Sequence, residues 1–81
     1  MHWTSKFPKL VEFLATDVKS ALDPYGMSYF RDLDRSFDEY GYAGLSMQLL
    51  YVSNNLQKGN KKVEKELGRW SKVIDMETVD A

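Results

Sequence analysis

From Phe7 onward the apolar residues return at intervals of three and four, and this spacing, interrupted only around Pro and Gly, restricts the chain to helices. Phe7, Leu10, Val11, Leu14, Val18, Ala21 and Leu22 fall on one stripe at about 100° per residue, with Lys9, Glu12, Thr16 and Lys19 opposite. Pro8 suits a first helical turn and Thr4 or Ser5 can cap it, so a helix is predicted over about 6–22. Asp23-Pro24 ends that helix and opens the next, expected over about 24–39, with Gly26 weakening its first turn. There Tyr29, Phe30, Leu33, Phe37 and Tyr40 share a face, and Arg31–Asp34, Arg35–Asp38 and Arg35–Glu39 stand at pairing distance along the other.

Gly41 breaks the pattern again. The third helix, about 42–57, has two apolar stripes: Leu45, Leu49, Val52 and Leu56, and nearly opposite them Ala43, Met47, Leu50 and Tyr51. No charge lies between Tyr40 and Lys58, and a helix apolar on two sides is expected at the centre of the bundle. Gly59 and Asn60 form a C′/N-cap turn into a fourth helix, about 61–76, built on Val63, Leu67, Trp70 and Ile74, with a frayed tail at 77–81. No sustained period-two run suggests a strand. The expected fold is all-α: one domain over 1–81, a compact bundle of about four short helices with short antiparallel connections.

A bundle of 81 residues without cysteine has neither disulfides nor thiolate metal sites to stabilise it, so packing must do so, and aromatics at 14% supply bulky side chains for a small core. The first eight residues lack a signal-peptide apolar run, and no stretch approaches the roughly 20 apolar residues of a membrane span. A cytoplasmic protein is expected, with no membrane partner.

Catalysis finds no footing. His2 is the only histidine, near the start of the chain where order is least expected; Cys is missing, and neither a glycine-rich phosphate loop nor an HExxH or EF-hand pattern occurs. Asp34 and Asp38 stand one helical turn apart, but Arg31 and Arg35 interleave with them, which describes a solvated salt-bridged face better than a metal site. Neither an enzyme nor a cofactor or metal is expected.

Binding has three candidate surfaces. The acidic, tyrosine-rich joint Asp34, Asp38, Glu39, Tyr40 and Tyr42 suits a basic protein surface, since rings give rigid contact area and carboxylates steer and pair with cations. Its alternative is Tyr40 packed into the core with the acids solvating a helix end. Lys58, Lys62, Lys65, Arg69 and Lys72 project as a basic stripe able to track phosphates, but they lie where an amphipathic helix puts its solvated charges and lack stacking aromatics. Nucleic acid is therefore the second choice of partner. The third surface is apolar excess: Phe13 off its helix's stripe, Trp3 ahead of that helix and the second stripe of the third helix, any of which can pack locally, dimerise or receive a partner.

The run from Phe37 to Leu50, FDEYGYAGLSMQLL, followed by Val63-Glu64-Lys65-Glu66-Leu67, is similar to small bacterial immunity proteins of the MafI kind. In that pattern an acidic residue and a short break lead into an Ala/Leu-rich helix, and a loop leads to a closing helix; the likeness covers about residues 33–76. Lys61, Lys62 and Lys65 depart from it, standing where acids are expected. The resemblance implies a protein that silences a cognate bacterial toxin by occluding its active site, with Asp34, Asp38, Glu39, Tyr40 and Tyr42 meeting a basic toxin domain.

Overall fold

The computed structural model describes residues 2–22, 29–56 and 60–79, the last two without their side chains. All regular structure among them is helical. We number the elements α1 (Trp3–Lys6), α2 (residues 8–22), α3 (29–40), α4 (42–54) and α5 (Lys61–Val79). The expected Asp23-Pro24 cap, Gly26, Lys58 and Gly59 lie outside the described residues.

The amino-terminal end is more ordered than its composition suggests. His2 caps α1: its Nδ1 accepts from the Thr4 N–H at 3.3 Å, which leaves the ring proton on Nε2, 2.7 Å from Asp34 Oδ1. Trp3 is fully buried, and its indole N–H donates to the same Asp34 oxygen at 3.2 Å. His2, expected at a mobile end, and Trp3, whose local packing was one of its expected roles, thus close α1 onto α3.

Pro8 opens α2, which widens into a π-helical turn at Leu14–Val18 and tightens again at Lys19–Leu22. Its core side chains are Leu10, Leu14, Val18 and Leu22, spaced by fours. In a regular α-helix each such step precesses by about 40°, so the stripe would wind off the core within three steps. One wide turn takes out that drift. The Leu14 carbonyl, opened by the turn, accepts from both the Lys19 N–H and the Tyr29 hydroxyl. Phe13, expected off the stripe, is half-buried against the core.

Tyr29–Asn54 is a single helical run broken at Gly41, whose φ of 70° and ψ of −151° suit glycine alone. The break is a reversal rather than a bend. Ser36 Oγ bonds Gln48 Oε1 at 3.3 Å, although twelve residues of straight helix would separate them by about 18 Å. Gly44 lies so close beneath α3 that a methyl group there would stand 2.5 Å from the Ser36 carbonyl oxygen and 2.6 Å from Tyr40 Cβ. The break expected at Gly41 is therefore present, and the acidic and Ala/Leu-rich segments around it fold back on each other.

After α4 the chain closes with short-range bonds from Asn55 and Leu56 to Val52 and Ser53, and the Asn60 carbonyl accepts the first bond of α5 from Glu64. The helix continues to Val79, beyond the expected end at 76. Glu77, expected in a frayed tail, instead holds Lys6 of α1 at 2.5 Å. Where α4 crosses α5, Ser46 and Ser71 are buried with their hydroxyl oxygens 2.8 Å apart, and each hydroxyl reaches the other's backbone carbonyl, at 2.9 and 3.1 Å. Small side chains bring the two helices close, and reciprocal bonding leaves no buried hydroxyl unsatisfied.

Trp3, Leu10, Leu14, Val18, Leu22, Leu33, Leu45, Leu49, Val52, Leu67 and Ile74 form one core, ringed by half-buried aromatics. The radius of gyration, 11.8 Å, is close to the roughly 11.7 Å of a compact chain of this length. No described helix is long and apolar enough to cross a membrane.

Candidate functional site

The five residues of the acidic joint have separated into two groups. Asp34 is half-buried and committed to His2 and Trp3. Tyr42 packs edge-on against Phe7 and Phe37, with ring centroids 6.2 and 5.1 Å away, and the Lys6 ammonium stands 5.6 Å from its ring. Both serve the fold. Asp38, Glu39 and Tyr40 form the last turn of α3 and are exposed, Tyr40 to 71%. The pairs Arg31–Asp34, Arg35–Asp38 and Arg35–Glu39 do not form among the described residues, which leaves Asp38 and Glu39 without a neutralising neighbour at the Gly41 reversal.

Tyr40 also belongs to a second feature. Its Cβ abuts Gly44, and from Gly44 the helical repeat leads to Met47 and Tyr51. Leu45, Leu49 and Val52 bury one side of α4, whereas Ala43, Met47, Leu50 and Tyr51 are all exposed on the other. The expectation that this helix lies at the centre of the bundle is thereby corrected: α3 covers one flank through Ser36 and α5 the other through Ser71, and the second stripe faces outward. Met47 is 61% exposed, Tyr51 57% and Leu50 48%. Tyr40 at the end of α3 and Met47, Leu50 and Tyr51 over about one turn of α4 make a strip without a carboxylate or a cationic side chain.

The basic stripe is real as a geometric object. Lys62, Lys65, Arg69 and Lys72 are exposed along α5, and Lys58 lies outside the described residues. Carboxylates interrupt it, however. Glu66 pairs with Arg69 at 3.0 Å, and Asp17 of α2 joins Lys62, Lys65 and Arg69 around a groove floored by Phe13 and Val63. A second groove runs along the other side of the same ridge, between α4 and α5, where Met47 and Leu50 face Lys65, Gly68, Arg69 and Lys72. A stripe divided in this way suits discrete charged contacts better than a phosphate track.

Tyr29 is half-buried beside α2. Burial disfavours its phenolate and raises its pKa, and its hydroxyl is committed to Leu14. No group of three or more His, Asp or Glu residues able to hold a metal ion occurs among the described residues. Sequence reasoning identified the second stripe of α4, preferring a central helix while keeping that stripe as a candidate interface; the deciding signal is the path of α5, which covers Ser46 and leaves Met47 bare. The chain matches no protein family, no characterised protein and no solved structure with which it was compared.

Proposed function

We propose that this chain is a protein-binding module that acts by covering a partner's surface through the outward face of α4 and the acidic turn before it. The observation that carries this reading is the contrast across α4: Leu45, Leu49 and Val52 are buried on one side, and the other presents Met47, Leu50 and Tyr51, with Tyr40 exposed at the end of α3. Contiguous exposed aromatic and Met side chains are costly to leave in water and are what recognition surfaces use as anchors. Asp38 and Glu39 at the head of the strip add a steering charge for a basic partner.

The finer reading is an immunity protein that neutralises a cognate bacterial toxin by occlusion. The resemblance around Phe37–Leu50 supports it, as does the exposure of the acidic turn, because a carboxylate pair beside an aromatic anchor can take the place of a phosphate substrate in a basic cleft. A non-catalytic, cytoplasmic protein without cofactor belongs to the same proposal.

The test is parallel capture from lysate of the source cells with tagged wild-type protein, Met47→Asp/Tyr51→Ser and Asp38→Lys/Glu39→Lys. The reading expects a stoichiometric protein retained by wild type, lost with the first variant and slower to associate with the second. For the immunity reading, the captured protein must also be a toxin whose activity falls on addition of wild-type chain. Identical proteins on all three baits would refute the surface. Nuclease-sensitive retention that depends on Lys65 and Arg69 would favour nucleic acid instead.

A further inference from the structure

Beside the exposed strip, the groove between α4 and α5 has a definite chemical character. Its open volume is about 620 Å³. Met47 and Leu50 form one wall, and Lys65, Arg69 and Lys72 the other. The floor is the Ser46–Ser71 crossing, whose hydroxyls are spent on each other's carbonyls and offer a ligand little further bonding. Gly68 leaves a gap in the cationic wall: a methyl group there would touch nothing within 4 Å. Among the described lining residues Asp75 is the only acid, against three cations, of which Arg69 is shared with Glu66.

We infer that this groove receives an acidic amphipathic helix of a partner protein. An apolar wall facing a cationic one matches a helix with one apolar stripe flanked by carboxylates, the mode in which i, i+3, i+4 and i+7 anchors seat in a groove. Lys65 and Lys72 are seven residues apart, about 10.5 Å along α5, so they meet carboxylates two turns apart on the incoming helix while its central side chain fills the gap at Gly68. A nucleic acid would leave Met47 and Leu50 uncovered, and a basic segment would meet three cations. The inference rests on the proposed role of the α4 face and specifies the partner chemistry on its α5 flank.

The probe is a fluorescein-labelled, end-capped peptide of about 18 residues, long enough to hold helix, with Leu at i, i+3, i+4 and i+7, flanking Glu and Ala elsewhere. A twin carries Lys in place of Glu. Fluorescence anisotropy with the full chain should give saturable binding of the Glu peptide, at least about tenfold tighter than its twin, with the gap narrowing as salt rises. Lys65→Glu/Lys72→Glu should reverse that preference. Gly68→Leu should plug the groove and weaken binding at least about tenfold while leaving the melting temperature equal or higher, since Leu favours helix more than Gly does.

Equal or tighter binding of the Lys peptide would overturn the inference. So would the absence of saturable binding of either peptide up to about 1 mM, an unaltered preference in the double variant, or full affinity after Gly68→Leu. Binding of phosphatidylcholine vesicles containing about a quarter phosphatidylserine, without peptide binding, would assign the groove to an anionic membrane surface and overturn it equally. If the peptides fail while a Met47-dependent partner is still captured, the groove's occupant is wrong and the α4 face stands; loss of both removes the face.

Discussion

Gly41→Ala tests the reversal on which the candidate surface depends. At φ 70° and ψ −151°, an L-alanine Cβ clashes with its own backbone, although a methyl group at that site would meet nothing else within 4 Å. The cost is therefore conformational alone, about 1–3 kcal/mol for a residue forced into this region. At a central value of about 2 kcal/mol, the melting temperature of a domain this size should fall by roughly 8–16 °C. D-alanine at the same position has its mirror-image preference in the extended region, so a chemically assembled chain with D-alanine should match or exceed wild type by up to about 1 kcal/mol through a less flexible unfolded state. Thermal melts by circular dichroism read both. Gly68→Ala is the control, in open space on a regular helix, and should raise stability by about 1 kcal/mol. An unchanged melt for Gly41→Ala, or equal destabilisation by both alanine enantiomers, would refute the geometry assigned to the break.

Leu49→Ala, at a fully buried position, should cost about 2–5 kcal/mol in urea unfolding, whereas Leu50→Ala on the outward face should stay within about 0.5 kcal/mol. Asp34→Ala strips the acceptor from the buried Trp3 indole and should cost about 1–3 kcal/mol, with altered near-ultraviolet dichroism as the local readout. The raised folded-state pKa of Tyr29 means that folding favours the neutral phenol. Its contribution is complete below the unfolded value of about 10 and is lost as pH rises through the higher folded value, so Tyr29→Phe should flatten the alkaline limb of the stability–pH curve. Asp38→Lys/Glu39→Lys should leave the melt within about 0.5 kcal/mol of wild type, because neither carboxylate has an ion-pair partner among the described residues.

The helices were legible in the residues because their signals are local. The apolar stripe of α2, the break at Gly41 and the start of α5 after Asn60 can each be derived from neighbours in the chain. The π-helical turn also left a trace, the four-residue spacing of Leu10, Leu14, Val18 and Leu22, which a strict α-helix cannot keep on one face. What escaped is non-local. Nothing near His2 or Trp3 announces that Asp34 will hold both, so a helix-face carboxylate looked available for Arg31. The same holds for α4: two apolar stripes are equally compatible with a central helix and with one bared on a side, and only the placement of α3 and α5 separates the cases. The sequence grouped five residues at the acidic joint, and the packing of Tyr42 and Asp34 into the fold leaves Asp38, Glu39 and Tyr40 as its exposed part.

Exposure of Met47 has a redox consequence. Its thioether stands in the middle of the α4 strip and is accessible to peroxide, whereas the leucines and tyrosines around it resist mild oxidation. Conversion to the sulfoxide replaces a soft apolar surface with a strongly polar one without touching the core, so an oxidised chain would keep its fold while the proposed contact face turns polar until a reductase restored the sulfur.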